Sequence, residues 1–293
     1  MIKRSFYDEI SRNKRNSVLL VAGVFLFIVF FGWLIGQIFD PSYTSAIIIT
    51  AVFIAVIFSW AGYYYSDSIV LSTVNARKAD PVKHKRLYDL VEGLCIATNL
   101  PMPRLYIIRS DDINAFATGR DPHHALIAVT EGALKHLDRD ELEGVLAHEL
   151  SHIRNYDIRF MTLLATLVGF VVIISELLRR SFWYGSKRDK KEGSVIILIA
   201  GLLIAIIAPF LVKLIQLAVS RKREFLADAS AAEITRNPDG LADALEAIKN
   251  YNGRKLKISK GIQHLFISNP FGKSSLFSTH PPIEERIRRL RSM

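Results

Sequence analysis

Four apolar blocks constrain this chain more than any other feature. A helix needs about 20 apolar residues to cross a bilayer core of about 30 Å. Val18 to Phe39 meets this without a charge. Ser45 to Tyr65 meets it too, ending in Tyr63, Tyr64 and Tyr65, an aromatic run suited to a membrane interface. The link DPSYT between them suits a tight hairpin. The third block, about Phe160 to Leu178, and the fourth, Val195 to Val219, are less clean, and Pro209 falls within the fourth. A kink there is tolerated in a membrane helix.

The basic start (Lys3, Arg4, Arg12, Lys14, Arg15) would also suit a cleaved signal peptide. The apolar run is too long for one, no small-residue cleavage site follows, and a second span comes at once. An uncleaved hairpin is expected instead. Its other flank carries Arg77, Lys78, Lys83, Lys85 and Arg86, while the intervening loop carries only Asp40. By the positive-inside rule both ends, and the domain that follows, face the cytoplasm. The loop RRSFWYGSKRDKKEG between blocks three and four is also basic. If both blocks span, it lies outside against the rule; the alternative is a hairpin that does not fully cross. The apolarity of the fourth block favours full spans.

The net charge is +10, from 38 Lys and Arg against 28 Asp and Glu. Nucleic acid is not the expected partner: the basic residues cluster beside the apolar blocks and no nucleic-acid motif is present. Cys95 is the single cysteine, so no internal disulfide forms. It reads as a small buried hydrophobe.

Between the second and third blocks the pattern is mixed. Pro81 to Asn99 reads as an amphipathic helix. Leu105 to Ile108, Asn114 to Gly119 and Ala125 to Thr130 read as short strands. Thr130 is placed to cap a helix from Glu131, and Asp138 to cap the next one, which runs through ELEGVLAHELSHIRN. The expected fold is mainly α with a small β-sheet. Residues 1–74 form the hairpin, 75–157 the first part of a catalytic unit, 158–219 the last two apolar helices, and 220–293 its second part.

His148 and His152 are four apart on that helix, so both imidazoles share a face and can share one metal ion. Glu149 can take a proton from a water on such a metal. A bare H-E-x-x-H string occurs by chance in many proteins. Here its neighbours Val145, Leu146, Ala147, Leu150, Ser151 and Ile153 are uncharged and mostly apolar, as a buried site requires. A catalytic zinc usually has three protein ligands and one open position. Glu224 and Asp228, again four apart, follow the fourth block: Glu224 is the expected third ligand and Asp228 a partner for a ligand histidine's free N–H. The alternative is a surface carboxylate pair balancing Arg221, Lys222 and Arg223.

HELSHIRNYD directly before one apolar block, EFLAD directly after another, and the N-terminal hairpin together resemble the HtpX family of membrane zinc metalloproteases. Those are relatives of the CaaX prenyl proteases and the Oma-type proteases. The resemblance covers nearly the whole chain. It implies a multi-span membrane protein with a zincin-like (gluzincin) cytoplasmic catalytic domain. One Zn2+ would be held by His148, His152 and Glu224, with Glu149 as general base. It also implies a bacterial inner-membrane location and protein or peptide substrates, chiefly misfolded or damaged membrane proteins. Asn114, Ala115, Phe116 and Ala117 resemble the edge strand on which such enzymes hold a substrate, an arrangement that uses free backbone groups. His280, in a His-Pro pair, would lie near the zinc and stabilise the oxyanion or plug the site; a helix cap is the plainer alternative. Arg286 would pair with Asp228.

Asn237-Pro238-Asp239-Gly240 matches a string that supplies a metal-binding Asp in site-2-type intramembrane proteases. Here it sits in polar sequence and reads as a turn and helix start. Two rival functions stand beside the general protease: a specific CaaX-type processing enzyme, and an inert membrane adaptor. The intact histidines and carboxylates weigh against the adaptor.

Overall fold

The computed structural model describes residues 6–39, 42, 44–164, 221–251, 265–267 and 281–293. The expected third and fourth spans beyond residue 164, and His280, lie outside them.

Two long helices come first, α1 (Phe6–Phe39) and α2 (Thr44–Thr73), packed against each other. Part of their side chains lies outside the described set. Among the described residues no helix is both long and apolar enough to cross a membrane. Large apolar side chains on both nonetheless face outward, including Val18, Leu26, Phe30, Ile49, Phe53 and Trp60.

Next come β1 (Arg77–Lys78), α3 (Lys85–Thr98), β2 (Arg104–Ile108), β3 (Ala115–Gly119), β4 (Ala125–Thr130), α4 (Glu131–His136) and α5 (Arg139–Arg154). A further helical stretch is described over 157–164. After the undescribed segment follow α6 (Arg221–Thr235), α7 (Pro238–Asn250) and α8 (Ile283–Leu290).

The three expected strands form, and the basic flank after α2 supplies a fourth. The sheet order is β1-β2-β4-β3, with β2 and β4 parallel and the other two pairings antiparallel. α3 begins at Lys85 rather than Pro81, because Asp80 first accepts the N–H groups of Val82 and Lys83 in a turn. Thr130 caps α4 through the N–H of Ala133. Asp138 and Glu141 close a reciprocal capping box at the start of α5, at 2.9 and 2.7 Å, which satisfies two otherwise orphaned donors.

α5 is the centre of the core. Leu142, Leu146, Leu150 and Ile153 are fully buried against α3, α6, α7 and the sheet. α7 approaches closely at Gly144: a Cβ there would stand 2.6 Å from the Leu241 nitrogen. Only glycine allows that approach, one turn before His148. On the sheet's other face Val70 of α2 and Val74 just beyond its end meet Phe116, Leu126 and Phe266. Leu20 of α1 meets Phe160, Leu163 and Leu164. The inner ends of both long helices are thus built into the mixed α/β body.

Candidate metal centre

α5 presents His148 and His152 one turn apart, and α6 crosses it to bring in Glu224. One ligand atom from each residue lies within 4.8 Å of the others. The two imidazole Nε2 atoms are 3.3 Å apart. Each is 3.8 Å from an oxygen of Glu224. Ligands about 2.0–2.2 Å from a tetrahedral centre stand roughly 3.3–3.6 Å from one another. The cluster therefore fits one ion with small adjustment, and two nitrogens and a carboxylate are donors that zinc accepts.

The other ring nitrogens fix which atoms face that point. Nδ1–H of His148 donates to Asp228 Oδ1 at 3.0 Å, and Nδ1–H of His152 to Asp157 Oδ2 at 3.0 Å. A carboxylate only accepts, so each Nδ1 carries a proton and each Nε2 is the atom left to face a metal, which it can bind once the imidazole is neutral.

The two histidines differ electrostatically. Burial lowers the pKa of His148, and the nearby Arg286 charge adds to this against the pull of Asp228, leaving it at about 4. Burial also acts to lower that of His152. The hydrogen bond to Asp157 and the charges of Glu224, Asp157 and Glu149 outweigh it and raise the value to about 9.

Arg286 comes from α8 and is among the largest fully buried side chains. It grips Asp228 with two hydrogen bonds of 2.9 and 2.7 Å and donates to the Ile267 carbonyl at 3.3 Å. Burial acts to raise the pKa of Asp228; the Arg286 charge and the hydrogen bonds from His148 and Arg286 overcome it and hold the carboxyl at about 2.

Asp157 was not singled out by spacing, although it closes the string HELSHIRNYD. α5 ends at Arg154 with Asn155 as its C-cap, and Tyr156 adopts the left-handed conformation, φ 58°. That turn brings Asp157 back onto His152. A positive φ at a tyrosine is not legible in sequence.

Glu149 lines a water-sized cavity of about 20 Å3 with His148, His152, Glu224 and Ala117. Ile158, Met161, Leu265 and Ile267 complete apolar walls. β3 is the edge strand on the side of the cluster, opposite β1, and its backbone is already partly engaged. Asn114 points inward: its carbonyl accepts the Thr130 N–H and its N–H donates to the Thr130 hydroxyl. The Ala115 carbonyl accepts the Ile267 N–H at 3.0 Å, and the Gly119 N–H donates to Thr162 Oγ1 at 3.2 Å. Phe116 is buried against Phe266, ring centroids 4.9 Å apart. In an antiparallel pair outward groups alternate, so 115, 117 and 119 face out. Of these, Ala117 has no outward partner among the described residues, and it is the one beside the cluster.

Asp239 is remote from this cluster and pairs with Arg291 at 2.6 Å. Asn237 caps α7 through the Gly240 N–H.

Residues 81–293 match Peptidase family M48. The chain is 44% identical over 299 residues to a Protease HtpX homolog of Caldanaerobacter subterraneus, covering 100% of this chain and 99% of that protein. It is 41% identical over 297 residues to a Protease HtpX homolog of Streptococcus pyogenes, covering 98% and 99%. Among solved structures, S. mikatae Ste24p is similar with a TM-score of 0.50 at 19% identity, covering 97% of this chain and 67% of that one. At that identity the likeness concerns the fold alone.

Proposed function

The chain belongs to peptidase family M48 and, within it, to the HtpX proteases; on that premise we propose that it is a membrane-held zinc metalloendopeptidase cleaving proteins at the cytoplasmic face. The observation that carries this reading is the convergence of His148, His152 and Glu224, with both outer ring nitrogens tied to carboxylates and Glu149 in the same cavity.

In this reading His148, His152 and Glu224 hold the ion. Bound there, zinc supplies Lewis acidity and lowers the pKa of a coordinated water toward about 7. Asp228 and Asp157 keep the imidazoles oriented. An extended peptide pairs with the outward N–H and C=O of Ala117, which sets its carbonyl beside the cluster. Glu149 takes the proton of the attacking water and delivers it to the leaving amine.

The membrane reading rests on the family, on the apolar sequence of the first two blocks and on the outward apolar side chains of the helices they form. At about 1.5 Å per residue, the 34 residues of α1 and 30 of α2 are roughly 51 and 45 Å long. Their outward apolar side chains need a cover that water does not provide. Both helices dock on the body that carries the cluster, which supports a site near the membrane surface on the side of the basic flanks. Substrates drawn from misfolded or damaged membrane proteins fit that position.

Full-length protein in detergent, supplied with zinc, should cleave an unfolded protein such as casein. Glu149→Gln should lose about 10²–10⁴-fold in rate with its metal retained, and Glu224→Ala should lose metal. Full zinc occupancy after Glu224→Ala would refute the ligand assignment, and no difference between Glu149→Gln and wild type would refute the protease.

A further inference from the structure

The cluster is tied to the first helix of the chain by one buried amide. Asn13 of α1 is 1% exposed. Its Nδ2 donates to Asp157 Oδ1 at 2.7 Å and to the Asn155 carbonyl at 2.9 Å. Its Oδ1 accepts from Arg223 Nη1 of α6 at 3.4 Å. This orientation is the only sensible one: the flipped amide would set its oxygen against two oxygens. Asp157 uses its other oxygen, Oδ2, for His152. One carboxylate thus bridges an amide from residue 13 and an imidazole from residue 152.

The neighbouring residues reinforce the junction. Lys14 lies over the Tyr156 ring, 4.2 Å from its centroid, at the left-handed turn that aims Asp157. Arg223 Nη1 is also 3.6 Å from Asp157 Oδ1, one residue before Glu224. The elements that carry His152 and Glu224 therefore both close on Asn13.

We propose that Asn13 is a positioning residue for the metal centre: it holds the carboxylate that holds His152, so that docking of the N-terminal helix sets the geometry of the site. This rests on the reading of His148, His152 and Glu224 as metal ligands. A carboxylate with one oxygen fixed by an amide has less freedom to rotate, and the imidazole it bonds is held in turn. The reverse also holds: a chain whose first helix is displaced keeps its ligands but loses their alignment.

The test uses full-length protein in detergent. Zinc affinity is measured by competition with a chromophoric chelator, and the visible spectrum of the cobalt(II)-loaded protein reports ligand geometry. Asn13→Leu keeps volume and removes the hydrogen bonds. It should weaken zinc binding about tenfold, the lower end for loss of a partner that orients a ligand, and alter the cobalt spectrum. Leu20→Ala trims the packing of the same helix against Phe160, Leu163 and Leu164 and leaves it docked through the Asn13 amide. It should lower Tm and leave affinity and spectrum unchanged. Asp157→Ala should weaken binding, and adding Asn13→Leu to it should weaken it no further. If Asn13→Leu behaves as Leu20→Ala does, the amide is only a docking contact and the proposal fails. His152→Ala separates the two failures: retained zinc would overturn the ligand reading, whereas lost zinc with an unaffected Asn13→Leu would overturn the relay alone. Should Asn13→Leu not accumulate, Asn13→Ser carries the same comparison.

Discussion

Replacing Arg286 with Met tests the charge logic of the site most directly. Methionine approximates the length of the arginine and removes its charge and donors. Arg286 is 1% exposed and Asp228 2%, so neither charge is solvated by water. The guanidinium supplies two of the hydrogen bonds to the Asp228 carboxylate; His148 Nδ1–H supplies a third. Without Arg286 a buried negative charge is left with the histidine alone. Breaking one partner of a buried ion pair costs about 3–5 kcal/mol. At about 2–4 °C per kcal/mol for a folded unit of 150–250 residues, Tm should fall by roughly 6–20 °C.

Adding Asp228→Asn removes the stranded charge while keeping an oxygen for His148 Nδ1–H. The Arg286→Met/Asp228→Asn double variant should recover at least half of that loss. The assay is thermal unfolding of the detergent-solubilised protein, followed by far-ultraviolet circular dichroism. A single variant within about 1 kcal/mol of wild type, or a double variant no more stable than the single one, would show that the pair is not the compensated buried charge described above.

Three other outcomes follow from the same geometry. Gly144→Ala gains up to about 1 kcal/mol of helix propensity. It must also part α5 from α7, since its Cβ would meet the Leu241 backbone at 2.6 Å. Overpacking of about 1–3 kcal/mol should win, and a raised Tm would count against the close approach. Ala117→Pro removes the outward N–H of an edge strand, where proline is tolerated. Peptide cleavage should fall about tenfold for one lost hydrogen bond, with bound zinc unchanged; unaltered kcat/KM would remove Ala117 from substrate binding. Burial, with a smaller contribution from the charge of Glu92, raises the Cys95 thiol to about 11. At pH 8 only about 0.1% is thiolate, so iodoacetamide should label it far more slowly than the unfolded protein, and equal rates would contradict its burial.

The local parts of this molecule were legible because their causes are local. Thr130 and Asp138 cap the helices that spacing assigned to them, since a cap and the N–H it satisfies lie within three residues. The face shared by His148 and His152 follows from helical periodicity alone. The misplaced start at Pro81 and the missed strand at Arg77–Lys78 have a common source. Asp80 turns the chain between them, and a two-residue strand exists only because β2 offers an edge to pair with.

Sequence by itself determined the apolar blocks, the capped helices, the histidine pair with Glu149 between them, and the family to which the chain belongs. Tertiary structure decided what these residues meet. Glu224 reaches the histidines because α6 crosses α5, over a separation of 72 positions from His152. Asp157 reaches His152 because Tyr156 takes a positive φ, and Asn13 reaches Asp157 across 144 positions. The outward direction of Ala117 depends on the register of β3 on β4, where a slip of one residue would turn it inward. Such contacts are set by which surfaces bury each other, and burial is a property of the packed whole that no short window of sequence contains.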